Sequence, residues 1–254
     1  MRQGGRGFGS PVTRIVTYRS DDAPDMTDVS PASNDSTPHD TSHGRSGVGW
    51  AALWLSSHGA AYRGRMSDGT TLFPAGLDLV TEQVDATTDW DAPSPCEGWT
   101  ALDVLAHVTG TVHKALISMG GGAYASVPAD AAGGVDASAV VARWHEAAGR
   151  AADALLAADP EQVIESPRGP LPLRQALGLP VADMSVHAWD LAASGGRDLA
   201  LPDDLRAHVE RLVRGLPEER LRSAEMFGPS VEAPSDAGPT DQLMAFLGRS
   251  RPRQ

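Results

Sequence analysis

Two residue types are nearly missing from this 254-residue chain. Cysteine occurs once, at Cys96, which excludes a disulfide within the chain and fits a reducing compartment. Lysine also occurs once, at Lys114, so arginine supplies almost all the positive charge. No run reaches the roughly 20 apolar residues that a membrane-spanning helix needs. The apolar stretch from Val48 to Leu55 has the character of a signal-peptide core, but it sits behind a long polar segment and is not read as one. Positive charge is scarce overall: 21 Lys and Arg stand against 33 Asp and Glu, a formal net charge of −12. Phosphate backbones and anionic lipid surfaces both need a positive face, so neither nucleic acid nor a membrane is an expected partner. The expected location is cytoplasmic.

Residues 1–65 differ from the rest. They cluster Gly, Ser, Pro and Asp and show no sustained apolar periodicity. Such a segment buries too little apolar surface to offset the entropy of ordering it. It reads as a disordered N-terminal extension or as a mis-called upstream start, with Met66 the initiator. Residues 66–254 read as a single helical domain.

Within that domain, helices are expected over Leu72–Val84, Thr100–Met119, Asp136–Ala158, Pro180–Ser194, Leu205–Leu216 and Asp241–Leu247. Thr100 followed by Asp103 has the spacing of a capping box. Leu105, Val108, Val112 and Leu116 then recur at three and four residues, which makes a core-facing stripe. Residues Val163 to Leu173 read as an irregular or hairpin-like connection. The short β-like segments near Val163 and Val231 are free to pair at the periphery. Helices joined by turns point to an all-α bundle.

The segment from Pro180 to Ser194 is mostly apolar, yet Asp183, His187, Asp190 and Ser194 recur at four, three and four residues and form one narrow polar stripe. On periodicity alone this is a solvent face. Its composition speaks against that, because the stripe holds no Arg, Lys or Glu, whereas other polar faces carry Arg206, Glu210 and Arg214. A carboxylate and an imidazole four residues apart point at one spot, as in the metal sites of helical bundles. A third ligand must come from a facing helix, and His107 lies in the apolar window Leu105-Ala106-His107-Val108. On its own, a histidine there is as readily a packed core residue. His113 lies on another face of the same helix. His145 and His208 sit among Glu and Arg and read as solvated. Cys96 has nothing near it in sequence to activate a thiol and reads as a loop residue packed beside Trp99.

Pro95-Cys96-Glu97-Gly98-Trp99-Thr100 followed by Asp103-Val104-Leu105-Ala106-His107-Val108 resembles the opening motif of the DinB-like, mycothiol-dependent maleylpyruvate isomerase superfamily. Asp183 through Ala192 resembles its second motif, a carboxylate four residues before His-x-Trp-Asp. Phe227-Gly228-Pro229 through Asp241 to Phe246-Leu247-Gly248-Arg249 looks like the end of its short, single-domain members. The resemblance runs from about Leu72 to Arg249. It implies a four-helix bundle with a short C-terminal extension, and a divalent metal held by His107, Asp183 and His187. Asp183 departs from the family pattern, which usually has Glu there; the shorter arm draws the carboxylate back by one methylene.

Zinc is the metal implied, with nickel, iron and manganese also suited to His and carboxylate donors. Three protein ligands leave coordination positions open for catalysis. The implied chemistry is that of an isomerase or thiol transferase with mycothiol as co-substrate and a small electrophile as substrate. Asp190 either orients a ligand imidazole or simply faces solvent. Arg174 is the nearest cation in sequence for an acidic substrate. The alternative is a non-catalytic binding or sensor module with a structural metal, and a homodimer is compatible with either. A third arrangement is a metal-free bundle in which Asp183 and His187 face water.

Overall fold

The computed structural model describes residues 68–122, 135–166, 169–222 and 226–252. The expected disordered extension 1–65 and the boundary at Met66 lie outside the described residues.

Helix α1 (Gly69–Ala86) is opened by Asp68, whose carboxylate accepts the Thr70 N–H at 3.0 Å. Helix α2 (Ala101–Met119) begins on the expected capping box. The Thr100 hydroxyl accepts the Asp103 N–H at 3.2 Å, and the Asp103 carboxylate accepts the Thr100 N–H at 2.9 Å. Helix α3 (Ala137–Ala157) is capped by Asp136. Two-residue strands β1 (Val163–Ile164) and β2 (Leu171–Pro172) then pair antiparallel, with Val163 opposite Pro172. A single helical turn, α4 (Leu173–Ala176), leads into α5 (Gly178–Ser194). Helices α6 (Asp203–Arg214), α7 (Glu218–Leu221) and α8 (Pro239–Phe246) complete the described chain.

The four long helices form a ring. Helix α1 packs on α5, α5 on α2, α2 on α3, and a thinner contact brings α3 back to α1. Their apolar stripes meet in a core that includes Phe73, Val80, Leu105, Val112, Trp144, Met184 and Leu191, all essentially buried. Trp144 places its indole in that core and donates its N–H to the Thr81 hydroxyl at 3.1 Å, which links α3 to α1. At the head of α1, a Cβ on Gly69 would lie 2.7 Å from backbone atoms of Arg174 and Gly178, so a residue without a side chain lets α1 meet the turn into α5.

Helix α5 is flanked by α1, α2 and α6, which explains its nearly all-round apolar surface. Most of its polar stripe therefore faces inward: Asp190 is fully buried, His187 is 6% exposed, and Asp183 and Ser194 are half-buried. The solvent-face alternative does not hold.

Three other expectations need correction. Val163 pairs with the neighbouring β2, not with the segment near Val231, whose N–H instead donates to the Ala245 carbonyl at the end of α8. Helix α5 begins two residues before Pro180, which falls in its first turn, where a proline N–H is not needed. His208 is not solvated. It is 2% exposed and hydrogen-bonds the Gly178 carbonyl at 2.7 Å, which pins α6 to the start of α5. Burial and the nearby Arg211 charge outweigh that bond and keep the imidazole below its ordinary range.

Candidate metal centre

Helices α2 and α5 lie side by side and each presents two residues four apart: His107 and Thr111 on α2, Asp183 and His187 on α5. The donor atoms of His107, Asp183 and His187 all fall within 4.8 Å of one another. Asp183 Oδ1 stands 3.4 Å from His107 Nε2 and 3.5 Å from His187 Nε2. Ligand atoms bound about 2.0–2.1 Å from a tetrahedral zinc stand about 3.4 Å apart. The donor spacing and the donor chemistry therefore fit such an ion. The shorter arm of Asp183 still reaches both imidazoles.

The surroundings hold these side chains in place. The Thr111 hydroxyl donates to Asp183 Oδ2 at 2.6 Å. His187 Nδ1 lies 2.9 Å from Asp190 Oδ2, so its other nitrogen is left facing Asp183. The loop before α2 folds tightly, with the Ser94 N–H on the Trp99 carbonyl at 2.9 Å and the Trp99 N–H on the Cys96 carbonyl at 3.0 Å. It lays the Trp99 ring against both imidazoles, stacked on His187 at 6.1 Å between centroids and tilted on His107 at 5.2 Å.

Cys96, on the same loop, does more than pack beside Trp99. Its thiol donates to Asp190 Oδ2 at 3.3 Å. Arg249, which follows α8, brings Nη2 to 3.6 Å from both Asp190 Oδ2 and Cys96 Sγ. Gly248 allows this approach. Its φ is +79°, and a Cβ there would lie 2.8 Å from the Pro229 carbonyl oxygen. Cys96, His187 and Asp190 form a second group with metal-ligand spacing. The guanidinium already sits against two of its three members, so the cation at that spot is Arg249.

Charge follows from this arrangement. Burial alone would push the Asp183 carboxyl up, but the charge of His187 and the bonds from His107 and His187 hold it well below its usual range. Burial alone would likewise push His187 down, and Asp183, Asp190 and Cys96 raise it well above its ordinary value near 6.5. Burial opposes ionisation of Asp190 too. The His187 bond and the Arg249 charge still keep it below the usual carboxylate value.

The other sequence candidates lie elsewhere. Arg174 pairs with Glu161 at 2.6 Å, and His145 makes an exposed contact with Asp85 at 3.4 Å. His113 is in neither group of metal-ligand spacing. Thr111 and Arg249 were not expected at the site. Thr111 has a visible signal, its position one turn after His107, whereas Arg249 has none that spacing could supply.

The uncharacterized proteins MT0763 and Rv0738 of Mycobacterium tuberculosis are each 32% identical to this chain over 163 residues, covering 62% of this chain and 84% of theirs. The family model for the mycothiol maleylpyruvate isomerase N-terminal domain matches residues 73–192. The chain belongs to the DinB-like, mycothiol maleylpyruvate isomerase superfamily. All three metal-ligand candidates of this superfamily member fall inside the matched span, and Arg249 falls outside it. A crystal structure of a histidine-to-alanine mutant of the mycothiol-dependent maleylpyruvate isomerase superposes with a TM-score of 0.49 at 14% identity, over 60% of this chain and 70% of that one. Among the described residues, no helix of this superfamily member is long and apolar enough to cross a membrane.

Proposed function

We propose that this chain binds a divalent metal, zinc first, through His107, Asp183 and His187, and uses it with a mycothiol-type thiol to isomerise or conjugate a small electrophilic acid. The observation that carries this reading is the convergence of two imidazoles and a carboxylate from α2 and α5, with Asp183 Oδ1 3.4 and 3.5 Å from the two imidazole nitrogens and all three donors within 4.8 Å. Nickel, iron and manganese remain chemically compatible with the same donors. When bound, such an ion acidifies a coordinated water or thiol to a pKa of about 7, which makes a nucleophile available at neutral pH.

The chain's own groups have separate tasks. Asp183 and the two histidines bind. Asp190 holds His187 in the tautomer and ring orientation that present Nε2 to the centre. Trp99 walls the imidazoles on the loop side. Soluble, cytoplasmic residence belongs to the same proposal, since a low-molecular-weight thiol is available there in reduced form.

Elemental analysis of the purified protein, followed by assay of electrophilic acids with and without the thiol, tests the reading. Absence of any bound divalent ion sinks it entirely. Bound metal without thiol dependence leaves the centre standing and removes the thiol chemistry.

A structural metal would make folding depend on the ion, and the fold supports the opposite expectation. The core closes through apolar side chains such as Phe73, Leu105, Trp144 and Leu191. Treatment with a chelator should therefore leave the far-ultraviolet circular dichroism essentially unchanged. Loss of the helical signal on metal removal would favour a structural ion.

The pH dependence has a definite sign. A metal can take His187 Nε2 only after that imidazole gives up its proton, and His187 holds its proton above the ordinary value. Zinc affinity should therefore rise with pH until the raised His187 value is passed, with about one proton released per ion bound. In the metal-free protein, the His187 contribution to stability is complete below about 6.5 and is lost as pH rises through the raised value. The Asp183 contribution is complete above about 3.8 and is lost as pH falls through its depressed value. Metal-free protein is thus expected to melt highest in mildly acidic solution. Titration calorimetry in several buffers checks the first expectation and thermal melts across pH check the second.

A further inference from the structure

The geometry points to Thr111 as a positioning residue that makes Asp183 an effective one-oxygen metal ligand in place of a longer glutamate. This rests on the metal-binding reading above and deepens it. A hydroxyl inside a helix ordinarily donates to the carbonyl one turn back. Thr109, Ser118, Ser185 and Ser194 all do so here, to Leu105, Lys114, Val181 and Asp190 respectively. Thr111 does not follow that habit. Buried at 6% exposure, it donates across the helix interface to Asp183 Oδ2 at 2.6 Å.

That bond has two geometric effects. It ties down Oδ2, which also stands 3.4 Å from His107 Nε2, and leaves Oδ1 as the unengaged oxygen, 3.4 Å from His107 Nε2 and 3.5 Å from His187 Nε2. It also stops the carboxylate from rotating about its last bond, the freedom that would otherwise weaken a ligand. An aspartate has one fewer torsion than a glutamate but also one fewer methylene of reach. A donor on the facing helix, one turn beyond His107, pulls the short arm toward α2 and holds it there. With Oδ2 already accepting the Thr111 hydroxyl, binding through Oδ1 is favoured over chelation by both oxygens.

Zinc affinity, measured by competition with a chromogenic chelator, tests this without reference to turnover. Thr111→Val removes the donor while keeping the shape, and should weaken zinc binding about 10-fold, the scale typical of lost outer-shell partners. Thr111→Ser keeps the donor and should retain most of the affinity. In an Asp183→Glu background, where the arm has its own reach, Thr111→Val should change zinc affinity little. Circular dichroism of each variant confirms that the bundle is formed. Equal zinc affinity in wild type and Thr111→Val overturns the inference, as does a Thr111→Ser variant as weak as Thr111→Val. A wild type that takes up no zinc overturns the underlying metal reading instead, which is a different outcome.

Discussion

On the proposed metal-binding reading, a His187→Ala variant is expected to lose metal binding altogether, and it should unfold at lower urea than wild type. Two effects combine. The first is removal of one of three donors, a deeper loss than the 10–100-fold typical of outer-shell changes. The second is the fate of Asp190. That carboxylate is fully buried, its Oδ1 has no hydrogen-bond partner among the described residues, and its Oδ2 depends on His187 at 2.9 Å. Removing one partner of a buried charged pair costs on the order of 3–5 kcal/mol, and the loss here falls below that because Arg249 and the Cys96 thiol stay 3.6 and 3.3 Å from Asp190 Oδ2. Metal content of the purified variant reads the first effect and the urea midpoint reads the second. Full metal stoichiometry in His187→Ala would remove His187 from the ligand set.

Arg249→Met should have the second-largest effect. Arg249 is 10% exposed and brings its guanidinium to 3.6 Å from Asp190 Oδ2, with its charge also 5.0 Å above the Phe227 ring. Methionine fills similar space without the charge, so Asp190 is left buried with His187 and Cys96 alone. A loss of about 3 kcal/mol is expected at neutral pH. The deficit should shrink as pH falls into the carboxylate range, because Asp190 then takes a proton and no longer needs the cation. Zinc binding should weaken as well, since a loosened Asp190 orients His187 less well. Urea unfolding at neutral and acidic pH checks the charge argument, and an equal deficit at both would assign the loss to packing.

The contrast between these two residues shows what could be read along the chain. Asp183 and His187 were legible because a helix converts a spacing of four into a shared face. The capping box at Thr100 and Asp103 was legible for the same local reason. His107 needed a facing helix, which periodicity does not supply; the family motif supplied it. His208 was misread because its neighbours Arg206 and Glu210 suggest solvent. Only the packing of α6 on α5 reveals that its imidazole turns toward the Gly178 carbonyl. Cys96 and Arg249 were each visible, but their meeting depends on a turn before α2 and a left-handed glycine after α8. Thr111 had a positional signal, one turn after His107, but its type masks it, because a threonine in a helix normally satisfies itself locally.

The cluster around His187 also carries a statement about timing. His187 and Asp190 are three residues apart and meet as soon as α5 winds. The Asp183–His187 contact, four residues apart, is local too, whereas the links between elements are distant in sequence: 72 residues for Thr111 to Asp183, 76 for His107 to Asp183 and 153 for Cys96 to Arg249. Contacts of such separation form only after large loops have closed, a slow entropic step compared with helix winding. An ion arriving early would meet only the Asp183–His187 pair of α5, without the His107 donor that the facing helix brings. On the metal-binding reading proposed above, the complete three-donor centre forms only once α2 and α5 have docked, so full-affinity loading follows folding.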